Sequence, residues 1–157
     1  MMSTKTNAIR ILDKEKINYN IFTYDVNDGK INGTTVADKI NRAEATVFKT
    51  LVTHQGQNIY IFVIPVMAEL DLKKAAKAAG EKKIEMLHVK DLQKYTGYIR
   101  GGCSPIGMKK SYPTFIDLHA KDLPSMVVSA GKIGMQMELA PEALANVVHA
   151  KFVDVIK

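Results

Sequence analysis

A chain of 157 residues, 46% hydrophobic and 24% charged, carries enough apolar side chain for one packed domain spanning 1–157 and too little polar bias for a disordered one. Its single cysteine excludes an intrachain disulfide framework and a multi-cysteine zinc site; no apolar run reaches the length of a membrane-spanning helix, and residues 1–10 lack a signal-peptide core. The net charge of +6 favours a polyanionic partner, nucleic acid ahead of membrane, with the cytoplasm as the expected location.

In chain order, residues 3–16 read as a helix with Ser3 as a possible N-cap and Ala8, Ile9, Ile11 and Leu12 as its apolar stripe. Residues 18–25 alternate as a strand, with Asn20, Phe22 and Tyr24 sharing one face. Asn and Gly punctuate the loop that follows, after which Thr34 or Thr35 can cap a short helix through Ile40. Two β-branched runs, 47–53 and 58–66, flank His54-Gln55-Gly56-Gln57 and predict a hairpin with a four-residue connection. Residues 71–80 form the clearest helix, with Asp71 as N-cap, an alanine-rich interior and Gly80 as the stop. A short strand at 84–86 and a helix at 89–95 lead into a glycine-rich loop. Strands at 114–118, 126–129 and 135–139 follow it. Pro141 opens a helix through Val148, and 150–156 suits a strand or a helix. Without a regular βαβ rhythm, this order predicts an α+β domain on a mixed twisted sheet with flanking helices.

The glycine-rich loop, Gly97 to Lys110, holds four glycines and Pro105 within eleven residues, which specifies a path for the backbone rather than a tether. Such a path either joins two elements tightly or aims several N–H groups at one anion, and Arg100, Lys109 and Lys110 supply basic company for the second role. It is not a nucleotide-hydrolysing P-loop. Gly102 and Gly107 have the spacing, but Met108 intervenes before Lys109, and Pro105 lacks an N–H inside the would-be cradle.

Lys49 stands out between Phe48 and Thr50-Leu51-Val52. A lysine there is either a solvated edge residue or a cation turned into a concave sheet face to hold a phosphate or carbonyl oxygen. The four histidines show no metal-ligand spacing, and the methionines read as core filling. Cys103 is a candidate nucleophile only by its place in the loop.

Five separated segments carry a family resemblance. They are Val47 to Val52, Leu70 to Lys77, Lys82 to Met86, Thr96 to Lys110 with its Gly101-Gly102-Cys103-Ser104-Pro105 core, and Ser129 to Lys132. In order and spacing they resemble the YbaK/EbsC family of Cys-tRNA(Pro) deacylases, relatives of the editing domain inserted in bacterial prolyl-tRNA synthetases. The resemblance implies an α+β editing-domain fold and hydrolysis of the ester joining cysteine to tRNA(Pro), needing no metal or cofactor. It also implies association with prolyl-tRNA synthetase. Lys49 would bind the terminal nucleotide or carbonyl, Tyr24 would line the pocket, and the amides of Gly101, Gly102, Cys103, Ser104 and Pro105's loop would hold the substrate carbonyl. The substrate's own thiol would be the nucleophile. Gln136 departs from a relative that has aspartate there. Arg100, Lys109 and Lys110 are candidates for tRNA contact. Two alternatives stand beside this: a deacylase preferring Ala-tRNA(Pro) or another small residue, and an aminoacyl-tRNA-binding module without catalysis.

Overall fold

The computed structural model describes residues 5–157. Helix α1 spans Asn7–Lys14 and is capped by Thr6, whose hydroxyl accepts from the Ile9 N–H and donates to the Ala130 carbonyl. It is therefore shorter than the expected 3–16, and Ser3 lies outside the described residues. Lys16, at a φ of 58°, turns the chain away from helix. Ala8, Ile9 and Leu12 are buried, the i, i+1, i+4 stripe of an amphipathic helix.

Strand β1, Asn20–Thr23, is followed by α2, Gly33–Lys39, whose cap is Asn32 through its side-chain oxygen and the Thr35 N–H, not Thr34 or Thr35. Strands β2, Phe48–Gln55, and β3, Asn58–Pro65, pair antiparallel from Phe48↔Pro65 to Gln55↔Asn58. That register leaves only Gly56-Gln57 as the turn, two residues rather than four, because His54 and Gln55 continue the ladder despite being polar. Helix α3, Leu72–Ala79, has the Asp71 cap and a left-handed Gly80 as expected. Strand β4, Glu85–Met86, and α4, Val89–Thr96, precede the glycine-rich loop. After it come β5, Thr114–Asp117; β6, Met126–Lys132; β7, Met135–Leu139; α5, Pro141–Val148; and β8, Lys151–Val153, which makes the final segment a strand.

The strands form a mixed five-stranded sheet, β4-β2-β3-β5-β8, and a second, antiparallel sheet, β1-β7-β6. Between them lies one core, in which Phe48, Val63 and Ile116 meet Met126, Val128, Met137 and Leu139, closed by α1 and by Leu144 of α5. On the other face of the larger sheet α3 covers Phe62, Ile64 and Phe115, so β3 is buried on both sides. Met126 and Met137 are core residues as expected, whereas Met67 and Met86 are exposed. Among the described residues, no helix is long and apolar enough to cross a membrane.

Candidate functional site

Besides that core, an isolated parallel bridge, Val47↔Val127, joins the two sheets. Two residues beyond it on each strand stand Lys49 and Ser129, and Ser129 pairs with Gln136, which pairs in turn with Phe22. Cross-strand partners share a face. Ser129, Gln136 and Lys49 accordingly all line one cavity of about 860 Å³, on the side away from the Met126 and Met137 core.

The far wall is the segment between β1 and α2: Gly29, Ile31, Asn32 and Gly33 line the cavity. Lys39 of α2 ties this segment down. Its ammonium donates to the Asp25 carbonyl (2.6 Å), the Asp28 carboxylate (2.8 Å) and the Lys30 carbonyl (3.0 Å). The same ammonium lies 5.9 Å from the centre of the Tyr24 ring. The Tyr24 hydroxyl is buried at the cavity wall with no hydrogen-bond partner among the described residues, a costly state for a phenol unless a ligand supplies one.

The glycine-rich loop closes the third side, and the expected residues divide there. Arg100, Gly101 and Cys103 line the cavity. Gly102, Ser104 and Pro105 stand behind it as support. The Gly102 N–H donates to the Ile99 carbonyl (3.0 Å), and its Cα packs so closely on the following turn that a Cβ would come within 2.9 Å of the Ile133 nitrogen. The Ser104 hydroxyl is fully buried and accepts from the Ile106 N–H, while Pro105 borders a separate hollow with Lys110. Lys109 lies against Gly97. The backbone N–H groups of Arg100, Gly101 and Cys103, the loop residues that line the cavity, make no hydrogen bond among the described residues and are free to meet an oxyanion.

Electrostatically, the cavity is cationic. Lys49 and Arg100 are the charged side chains of its lining, and neither makes an ion pair or a side-chain hydrogen bond with a described residue. Cys103 is the thiol there, buried and pushed up to about 12 by desolvation, against a smaller downward pull from a hydrogen bond with Thr96. A thiol held so far from ionisation is a poor nucleophile near neutral pH. Gln136 is only 7% exposed, and its amide makes no hydrogen bond with a described residue. The sequence flagged Gln136 only as a departure from a relative. The Lys39 clamp and the Gly29 to Gly33 wall carried no signal beyond turn residues.

Residues 34–147 match the sequence pattern of the aminoacyl-tRNA editing domain, a stretch that includes Lys49, the glycine-rich loop and Gln136. The chain is 46% identical over 152 residues, 96% of its own length and 93% of the relative's, to an Enterococcus faecalis protein named "Putative Cys-tRNA(Pro)/Cys-tRNA(Cys) deacylase EbsC". Two crystal structures share its fold at lower identity. One, described as "a putative trans-editing enzyme for prolyl tRNA synthetase", superposes with a TM-score of 0.85 at 19% identity over 99% of both chains. The other, "hypothetical protein APE2540", gives a TM-score of 0.88 at 18% identity over 97% of this chain and 100% of its own. Taken with the cationic cavity and its free amides, the match over most of the chain places this protein in the aminoacyl-tRNA editing domain family.

Proposed function

We infer that this protein is a free-standing deacylase that hydrolyses cysteine from tRNA(Pro), clearing the ester left when a synthetase mistakes cysteine for proline. One pocket separates amino acids of similar size poorly, which gives a second, hydrolytic site its purpose. The observation that carries the reading is the chemistry of the cavity: two cations and three backbone amides that have no partner among the described residues line it, while its one thiol is held neutral.

In this reading the substrate brings its own nucleophile. Lys49 and Arg100 lower the pKa of the cysteinyl thiol by their field. The thiolate attacks the ester carbonyl, a carbon–sulfur bond forms, and the developing oxyanion is met by the Gly101 and Cys103 amides. Collapse breaks the bond to the ribose oxygen, which takes the proton lost by the thiol. Water then opens the four-membered thiolactone to free cysteine. Arg100, exposed at the mouth, suits the terminal phosphate. Lys109 and Lys110 lie farther along the loop as candidates for tRNA beyond the 3′ end, and Tyr24 as a wall of the pocket. A substrate made in translation puts the enzyme in the cytoplasm beside prolyl-tRNA synthetase, whose binding supplies recognition of the tRNA.

Release of free amino acid from a panel of Cys-, Ala-, Ser- and Pro-tRNA(Pro), with Cys-tRNA(Cys) added, tests this. Turnover of the cysteinyl esters with little on the seryl ester is expected, because a hydroxyl is far less ionised than a thiol at the same position. Preferential release of alanine would shift the assignment to an alanyl deacylase, and binding without release would make the protein a carrier module.

A further inference from the structure

On the deacylase reading one group of the substrate still lacks a partner: the α-amino group of the esterified amino acid, which titrates near neutral pH. Bonded to the same Cα as the ester carbonyl, it cannot lie far from the Lys49 and Arg100 field that activates the thiol. No carboxylate among the lining residues offsets that field. Three acids close in sequence to the lining are engaged. Asp28, beside Gly29, is paired with Lys39 at 2.8 Å; Glu138, two residues from Gln136 on β7, is paired with Arg42 at 2.9 Å; and Asp25, after Tyr24, accepts the Asn27 N–H and lies under the Lys39 clamp. From β6 the cavity receives the uncharged Ser129, whose hydroxyl accepts the Gly131 N–H; from the loop it receives Arg100 and the neutral Cys103; and after β1 it receives the Tyr24 phenol. An ammonium placed here is disfavoured against its conjugate amine.

Gln136 offers what the amine needs. Its side chain is more than nine-tenths buried, faces the cavity, and makes no hydrogen bond with a described residue. It lies on β7, with β6 between it and the strand of Lys49; Arg42, over the ring of its cross-strand partner Phe22, is paired with Glu138; and the Gln136 amide carbonyl can accept an amine N–H. We propose that Gln136 is a specificity-determining residue that receives the α-amino group in its uncharged form, so that the site takes the free-base aminoacyl ester. The inference rests on the deacylase reading.

The test compares kcat/KM for Cys-tRNA(Pro) with that for its deamino counterpart, 3-mercaptopropionyl-tRNA(Pro). Both esters keep the thiol, but the α-amino group alters its ionisation, so each rate is first divided by the thiolate fraction of that ester, measured by ultraviolet titration, and the corrected ratio reports the amine. For wild type the ratio rises between about pH 6 and about pH 8.5, approaching about tenfold per pH unit below the amine's own pKa. Gln136→Glu places a carboxylate beside the amine and reverses that slope. Gln136→Met keeps the bulk without the acceptor and lowers the ratio at high pH by about fivefold, the worth of one hydrogen bond. A wild-type ratio that is flat or falls with pH overturns the proposal, and so does a Gln136→Met ratio equal to wild type. If wild type hydrolyses neither ester at any pH, the deacylase reading itself has failed, which is a separate and visible result.

Discussion

Val47, just before β2, and Val127 of β6 are both buried and pair in one isolated parallel bridge, and through it two separate sheets present a continuous wall. Each strand then departs from the joint two residues later with a polar side chain, Lys49 on one and Ser129 on the other, and the glycine-rich loop fills the gap beyond with Gly101 and Cys103. The cavity wall is thus assembled from a hairpin, an antiparallel sheet and a loop that meet only in three dimensions.

Lys49→Ala should lower kcat/KM on Cys-tRNA(Pro) by about a hundredfold or more, the usual cost of removing one directed electrostatic contact in a sheltered site. Lys49 makes no ion pair with a described residue, so the thermal midpoint should stay near wild type. Single-turnover deacylation together with a melting curve checks both halves. Near-normal turnover would return Lys49 to the role of a solvated strand lysine.

The two adjacent glycines of the loop should fail differently. Gly101 has a φ of +86°, where a side chain is strained, and a Cβ there would come within 3.0 Å only of the Ile31 Cδ1 atom, a movable tip. Gly101→Ala should therefore cost about 1–2 kcal/mol of stability and most of the activity, since the methyl group enters the cavity wall. Gly102→Ala meets backbone instead, with Ile133 N at 2.9 Å. It should destabilise by about 1–3 kcal/mol and displace the turn between β6 and β7. Denaturant titration of both variants, with kcat measured below the unfolding transition, separates the two effects. A Gly102→Ala protein as stable as wild type would contradict the close approach.

Local chemistry was legible in the sequence, and lateral pairing was not. Asp71 and Gly80 announce α3 because an N-cap and a left-handed C-terminal residue act within one turn of chain. The hairpin was legible too, but its turn was misjudged: His54 and Gln55 look like loop residues and become strand only because β3 and β4 lie alongside. The pairing of β1 with β7 joins residues more than a hundred positions apart, and the alternation of β1 names its faces without naming its neighbour. So Tyr24 could be singled out, while its unpartnered hydroxyl, the Lys39 clamp beside it and the separation of Lys110 from the cavity are products of tertiary packing.

Glu138 gives a pH-dependent test that is independent of the reaction. Arg42 donates to it from Nε at 2.9 Å while its guanidinium lies over the Phe22 ring at 4.5 Å, and Asn20 adds a bond at 3.2 Å. Arg42's hydrogen bond, the largest cause, holds the Glu138 carboxyl below its usual range. A depressed carboxylate pKa stabilises the fold above the unfolded value and loses that stabilisation as pH falls through the folded one. Glu138→Gln should lower stability by about 1 kcal/mol at neutral pH, limited by solvent around the part-exposed Arg42. The difference from wild type should shrink as pH falls below the ordinary glutamate range and close only below the lower folded value, where Glu138 is protonated in both states. Denaturant midpoints at both pH values decide it, and an equal deficit at both would assign the effect to shape rather than charge.

Cys103 decides which thiol does the chemistry. It lines the cavity 9% exposed, with burial pushing its pKa up to about 12, so at neutral pH the thiol stays protonated. A protein nucleophile needs an adjacent base or cation to offset such a shift. Lys49 and Arg100 share the cavity, but burial outweighs every other influence on Cys103, and the one opposing influence on its pKa is the hydrogen bond with Thr96. The thiol of a bound cysteinyl ester enters from water and pays no such penalty until the cations have met it. Cys103→Ala should therefore keep most activity, with a loss of a few fold at most from repacking beside Val52 and Tyr98. Alkylating the substrate thiol should stop release altogether. Loss of a true covalent nucleophile costs up to about a millionfold, so the two outcomes are far apart on the rate scale. A dead Cys103→Ala enzyme that folds normally, together with ordinary hydrolysis of the thiol-blocked ester, would make Cys103 the nucleophile and require the site to ionise it when tRNA binds.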